Sequence, residues 1–127
     1  MMLRRTTTIA ATVLLALAAC GSDSGPDLSP EAAAGRDLMR SSGCSSCHGA
    51  NGQGGVGPTF EGLYGSEVEL DDGSTVTADD AYIRESISDP SAKIVEGYAL
   101  PMPTNELSDA QIDQIISFIA ELGGVTP

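Results

Sequence analysis

The stretch Cys44-Ser45-Ser46-Cys47-His48 decides how the rest of the chain is read. It has the form C-x-x-C-H, the pattern of covalent c-type haem attachment. Two thiols at this spacing sit on adjacent turns of one short segment and can add to the two vinyl groups of one haem. The histidine follows at once, so its imidazole can swing beneath the ring and bind iron as the proximal ligand. A redox dithiol would want a strand ahead of the motif and a βαβ setting, and neither is visible. A structural zinc site needs about four ligands, and no second Cys/His cluster accompanies this one. His48 is the chain's one histidine.

Working outward, Ser29-Pro30-Glu31 predicts a helix start. Ser29 serves as cap, Pro30 suits the first helical position and Glu31 suits the positive end of the dipole. The helix is expected to reach about Arg40 and to lead into Cys44. Gly35 within it costs about 1 kcal/mol relative to alanine, which suggests a close approach by another helix. Met39 is expected to pack at the edge of the haem.

After His48 come Gly49, Gly52, Gly54, Gly55 and Gly57, then Pro58. Glycine lets backbone lie against a ring, and Pro58 stiffens the segment. The Pro58 carbonyl is a candidate acceptor for the free ring N–H of His48, the contact that orients a metal-bound imidazole. Val68 to Val76 reads as a hairpin turning at Asp72-Gly73. Thr77 to Asp80 resembles a capping box, opening a helix to about Ser88 with Tyr82, Ile83, Ser86 and Ile87 facing inward and Pro90 ending it. The acids Glu67, Glu69, Asp71, Asp72, Asp79 and Asp80 lack the pattern of an EF-hand and read as a solvated face.

Pro101-Met102-Pro103 excludes helix and strand around Met102, so its thioether sits on a stiff loop suited to the sixth position on iron. A single histidine excludes bis-histidine ligation within one molecule. Ser108-Asp109-Ala110-Gln111 is a capping box. Ile112, Ile115, Ile116, Ile119 and Leu122 then make one apolar stripe, ended by Gly123-Gly124. This helix is expected to cross the first near Gly35.

The N-terminal segment reads differently. Arg4 and Arg5 precede an apolar run from Ile9 to Ala19, too short for a stable bilayer span but suited to a signal peptide. Leu17-Ala18-Ala19-Cys20 resembles a lipobox, with Cys20 lipidated; the alternative is an ordinary signal peptide cut nearby, with Cys20 unmodified or removed. Lipidation uses the third cysteine once Cys44 and Cys47 hold haem. The expected organisation is a signal peptide over 1–19, a Ser/Asp/Gly/Pro tether over 20–28 and one domain over 29–127. The formal net charge is −12. Arg4 and Arg5 leave with the signal, so Arg36, Arg40, Arg84 and Lys93 face all 18 acids. That balance argues against nucleic acid as a partner and against direct adhesion to anionic lipid. A domain this small has a modest core, and haem can act as its staple.

Taken together, Gly35, the Cys44–His48 motif, Gly57-Pro58, Met102-Pro103 and the C-terminal amphipathic helix resemble a class I cytochrome c over about residues 29 to 123. The stretch from Leu63-Tyr64-Gly65-Ser66 through Ala81–Ile87, Asp89-Pro90 and Gly97-Tyr98 is similar to the cytochrome c domain of bacterial oxidase subunit II and to the single-haem lipoprotein subunit of alternative complex III. One position departs: Met39 stands where the family often has an aromatic residue. The resemblance implies an all-α fold around one covalent haem c, with a short β-hairpin insertion. It implies a cofactor set of Cys44, Cys47, His48, Met102, Pro58 and Tyr98, with His48 and Met102 on iron. It implies an electron carrier rather than an enzyme; the N-terminal signal and Cys20 add the expectation that it is exported and held by lipid at the outer face of the cytoplasmic membrane or in the periplasm. Its partners would be respiratory complexes, toward a terminal oxidase, with no small-molecule substrate. The alternative is a fixed subunit of such a complex. A haem enzyme or gas sensor is disfavoured, since no second histidine is available on the distal side.

Overall fold

The computed structural model describes residues 27–98 and 100–125. The expectations for the signal segment, Cys20 and most of the tether fall outside them. Four helices and one two-stranded antiparallel sheet follow in the order α1 (Pro30–Ser41), α2 (Ser45–His48), β1 (Glu67–Glu69), β2 (Thr75–Thr77), α3 (Asp80–Ser88) and α4 (Asp109–Leu122). Among the described residues no helix is long and apolar enough to cross a membrane.

Helix α1 begins where its sequence signals place it. The Ser29 hydroxyl accepts from the Ala32 N–H at 3.2 Å, and Pro30 occupies the first turn. The Ser29 N–H in turn donates to a Glu121 carboxylate oxygen at 2.8 Å, joining the start of α1 to the end of α4. Leu28, placed in the tether by composition, already packs against the core.

The α1–α4 crossing is the principal helix contact. Its closeness is set by Gly35: a Cβ added there would lie 1.9 Å from the Gln114 carbonyl oxygen and 2.4 Å from its carbon. Ala32, Gly35 and Met39 form the buried face of α1. Met39 is fully buried, so the crossing forms with a thioether in place of an aromatic ring. A flexible, unbranched side chain can fill such an irregular space.

Helix α4 buries Ile112, Ile115, Ile116 and Ile119 as its stripe predicts, and also Phe118 and Ala120. Phe118 is 1 % exposed and lies outside the counted stripe, which therefore underestimates the width of the buried face. The capping box is closed from the Gln111 side: its Oε1 accepts from the Ser108 N–H at 2.9 Å and from the Ser108 hydroxyl at 3.1 Å.

The hairpin pairs Glu67 with Thr77, Val68 with Val76 and Glu69 with Thr75. The turn is tied by Asp72, which accepts from the Ser74 N–H and hydroxyl at 2.8 and 2.6 Å. Helix α3 opens two residues later than the capping-box reading has it. Thr77 remains extended as the end of β2, its hydroxyl donating to Glu67 Oε1 at 2.8 Å. Asp79 is the cap instead, accepting from the Tyr82 N–H at 2.9 Å. Cross-strand pairing thus takes Thr77 away from the helix. Tyr82, Ile83 and Ile87 are buried, Ser86 is half-buried, and the six acids of the hairpin and α3 start are exposed. Residues 94–96 run back along β1, with the Asp71 N–H donating to Ile94 O and the Glu96 N–H to Glu69 O. That bond pair brings the chain to Tyr98 and the Met102 loop.

Candidate haem site

Gly43, at φ +84°, reverses the chain after α1, and the Cys44 N–H donates back to Met39 O at 3.1 Å. The short helix α2 then places both thiols and the imidazole on one turn. The N–H groups of Cys47 and His48 both donate to Cys44 O, at 3.1 and 3.0 Å. Cys44 and Cys47 are free and half-buried. Burial pushes the Cys44 thiol above its ordinary pKa, which keeps it protonated.

His48 is 9 % exposed and closely held. Its Nδ1 lies 2.8 Å from Pro58 O, the contact expected from the sequence. A carbonyl only accepts, so Nδ1 carries a proton, and in the neutral ring Nε2 keeps its lone pair. Nε2 has no hydrogen-bond partner among the described residues. One face of the ring stacks on Phe60, centroids 4.5 Å apart and planes 24° from parallel. Gly57 lies against the imidazole: a Cβ there would be 2.9 Å from Cε1 and 3.1 Å from Nδ1.

The segment beyond His48 is laced to α2 by backbone. Gly54 donates to His48 O at 2.8 Å, Gly57 to Cys47 O at 3.0 Å and Phe60 to Gly52 O at 2.7 Å. The glycine-rich segment is thus tightly hydrogen-bonded despite its composition.

Both cysteines, His48, Pro58, Tyr98 and Met102 line one cavity of about 1080 Å³. Its floor is apolar, built from Met39, Val68, Ile83, Ile87, Ile115 and Ile119. Met102 is half-buried on an irregular segment between its two prolines. A cavity of that size with an apolar floor suits a large flat prosthetic group. Its donors are one oriented imidazole nitrogen, one thioether and two thiols. The donor set and the cavity therefore fit a covalently held haem with histidine and methionine ligands.

The cytochrome c family model matches residues 32–123. The chain belongs to the cytochrome c family. No curated protein matches its sequence. Membership supports a class I c-type cytochrome, and the small helical domain with its two-stranded sheet is consistent with that fold. A cytochrome c is an electron-carrying haem protein, and the family implies haem c bound covalently.

Three residues of this cytochrome site escaped the sequence reading. Phe60 stacks on His48; its only signal was an aromatic residue two positions after Pro58. Lys93 is the single basic side chain on the cavity wall, and it pairs with Glu85. Asn105 also lines the cavity and joins the Met102 loop to α3, through an Nδ2 bond to Ile87 O at 2.6 Å. Nothing in the local pattern marks either polar residue, because each finds its partner through tertiary contact.

Proposed function

We propose that this cytochrome c is a membrane-tethered carrier with one haem, moving single electrons between respiratory complexes toward a terminal oxidase. Cys44 and Cys47 form the thioethers, and His48 and Met102 are the axial ligands. The observation that carries this reading is the His48 Nδ1–Pro58 bond, which aims Nε2 at a cavity shared with Met102 and both thiols. Haem bound there supplies a one-electron ferrous–ferric couple, and Met/His ligation raises its potential. The chain orients the imidazole, offers the thioether from a stiff loop and surrounds the ring with apolar side chains that exclude water.

The electrostatics support a lipid tether. Each of the four described cations lies against a carboxylate: Arg36 and Arg40 against Asp37, Arg84 against Asp113 and Lys93 against Glu85. No basic patch is left among the described residues to hold anionic lipid, so in this reading attachment falls to acyl chains on Cys20, with residues 20–28 as spacer. Val56 and Leu100, 59 % and 71 % exposed, both line the cavity and lie at its rim. An apolar rim there supports contact with a second protein, either as a transient redox partner or within a fixed complex of the alternative complex III or oxidase kind.

The test is a spectrum of the holoprotein, first ferric and then ferrous with and without carbon monoxide, for wild type and Met102→Ala. Wild type is expected to be indifferent to the gas, and the variant to bind it and lose the weak ferric charge-transfer band of methionine ligation. Carbon monoxide binding readily to wild type would replace the carrier by an enzyme or sensor with an open sixth position. A variant identical to wild type would move the ligand elsewhere.

A further inference from the structure

The two sides of the cavity are held very differently. The His48 side is fixed several times over, by the bonds to Cys47 O, His48 O and Gly52 O and by the Nδ1–Pro58 contact. The Met102 side is not. From Leu100 to Leu107 the described residues form no helix or strand and make no backbone–backbone hydrogen bond. Among the described residues, one hydrogen bond joins this loop to another element: Asn105 Nδ2 donates to Ile87 O at 2.6 Å.

Both ends of that bond are placed to matter. Ile87 lies in the last turn of α3, where carbonyls have no partner within the helix. Its side chain is buried and lines the cavity wall. Asn105 sits three residues after Met102, and its Oδ1 accepts from the Leu107 N–H at 3.2 Å, which braces the amide from the loop's own far end. The amide thus satisfies a helix terminus and fixes the height of the Met102 loop above the cavity in one contact.

We propose that Asn105 is the positioning residue for Met102, holding its loop on α3 so that the thioether stays on the iron. This rests on the reading of Met102 as axial ligand. Losing the clamp frees the loop to lift, and any exogenous ligand then competes with a less persistent thioether. A net hydrogen bond of ordinary strength corresponds to a change of roughly two- to twelvefold in that competition.

The experiment uses full-length ferric holoprotein and titrates imidazole as the competing ligand. Asn105→Asp keeps the oxygen that accepts from Leu107 but loses the donor to Ile87; Asn105→Leu loses both. Ala34→Gly, on α1 and away from the cavity, is a control for general loosening. Both Asn105 variants are expected to bind imidazole roughly two- to twelvefold more tightly than wild type, with Ala34→Gly unchanged. Wild-type affinity in both Asn105 variants overturns the proposal, and so does an equal gain in Ala34→Gly. If wild type already binds imidazole as tightly as Met102→Ala, the ligand reading itself has failed. That outcome is distinct from failure of the clamp with Met102 intact.

Discussion

Gly35→Ala sets two effects of opposite sign against each other. Alanine is the better helix former by about 1 kcal/mol, so a solvent-facing site would gain stability. At this site the new Cβ would meet the Gln114 carbonyl oxygen at 1.9 Å, the Gln114 carbon at 2.4 Å and the Ile115 nitrogen at 2.9 Å. All three belong to the backbone of α4, so no side-chain rotation relieves the contact. Restoring ordinary separation requires α1 and α4 to part by about 1.5 Å. Overpacking of a close-packed contact costs about 1–3 kcal/mol, and a backbone clash of this depth belongs at the upper end. Subtracting the propensity gain leaves a net loss of about 2 kcal/mol. At roughly 4–8 °C per kcal/mol for a domain of this size, Tm should fall by about 8–16 °C. Thermal melts of holoprotein by circular dichroism measure it, with Ala34→Gly, at a half-buried position of the same helix, as an upper bound on the propensity effect. A Tm equal to or above wild type for Gly35→Ala would mean that propensity wins and that the helices do not approach so closely.

Cys44→Ala or Cys47→Ala should each leave at most one thioether and little mature holoprotein; a normal yield of doubly linked haem on mass analysis would refute the attachment sites. Tyr64 should ionise above the usual tyrosine range, chiefly because its hydroxyl donates to Asp80, with burial and the charges of Asp80 and Asp79 adding to the effect. Since the folded value is the raised one, this contact contributes fully below the ordinary tyrosine pKa and is lost as pH climbs through the folded value. Ultraviolet titration of wild type against Tyr64→Phe reads it, and a Tyr64 titrating at or below the ordinary value would reject the bond. Cys20→Ser should release soluble protein from membranes, and labelled fatty acid absent from wild type would rule out lipidation. If the tether supplies local concentration in place of charge steering, electron transfer in membranes should vary little with ionic strength, whereas a steep decline with salt would indicate a basic docking partner.

Much of the site was legible because its logic is local. Five consecutive residues carry both thiols and the imidazole, and Pro58 follows closely enough for a rigid residue after glycines to suggest its carbonyl as partner. Gly35 was legible for a different reason: glycine inside a good helix costs stability unless space demands it. What escaped depends on residues that only the fold brings together. Thr77 has the sequence of a cap, but Glu67 across the hairpin claims its hydroxyl. Phe118 lies off the counted stripe, yet packing of α4 against two helices widens the buried face to include it. Phe60 shows no periodicity at all and becomes meaningful only when the glycine loop folds its ring onto His48.

The same distinction bears on how the two axial positions would respond to mutation. The segment that carries the imidazole is held by contacts close in sequence, most of them backbone to backbone, so a side-chain change rarely removes one. Phe60 and Pro58 add redundancy, and loss of either leaves the ring with other constraints. If Met102 is the second ligand, its thioether rides on a loop whose one hydrogen bond to another element, among the described residues, is a side chain reaching across 18 positions to α3. One substitution can delete such a contact. Random substitution in the domain should therefore loosen the Met102 side far more often than the His48 side. Carbon monoxide or imidazole screening of a variant library would show that bias as many open-site holoproteins with normal thioethers, and an even division of lesions between the two sides would contradict it.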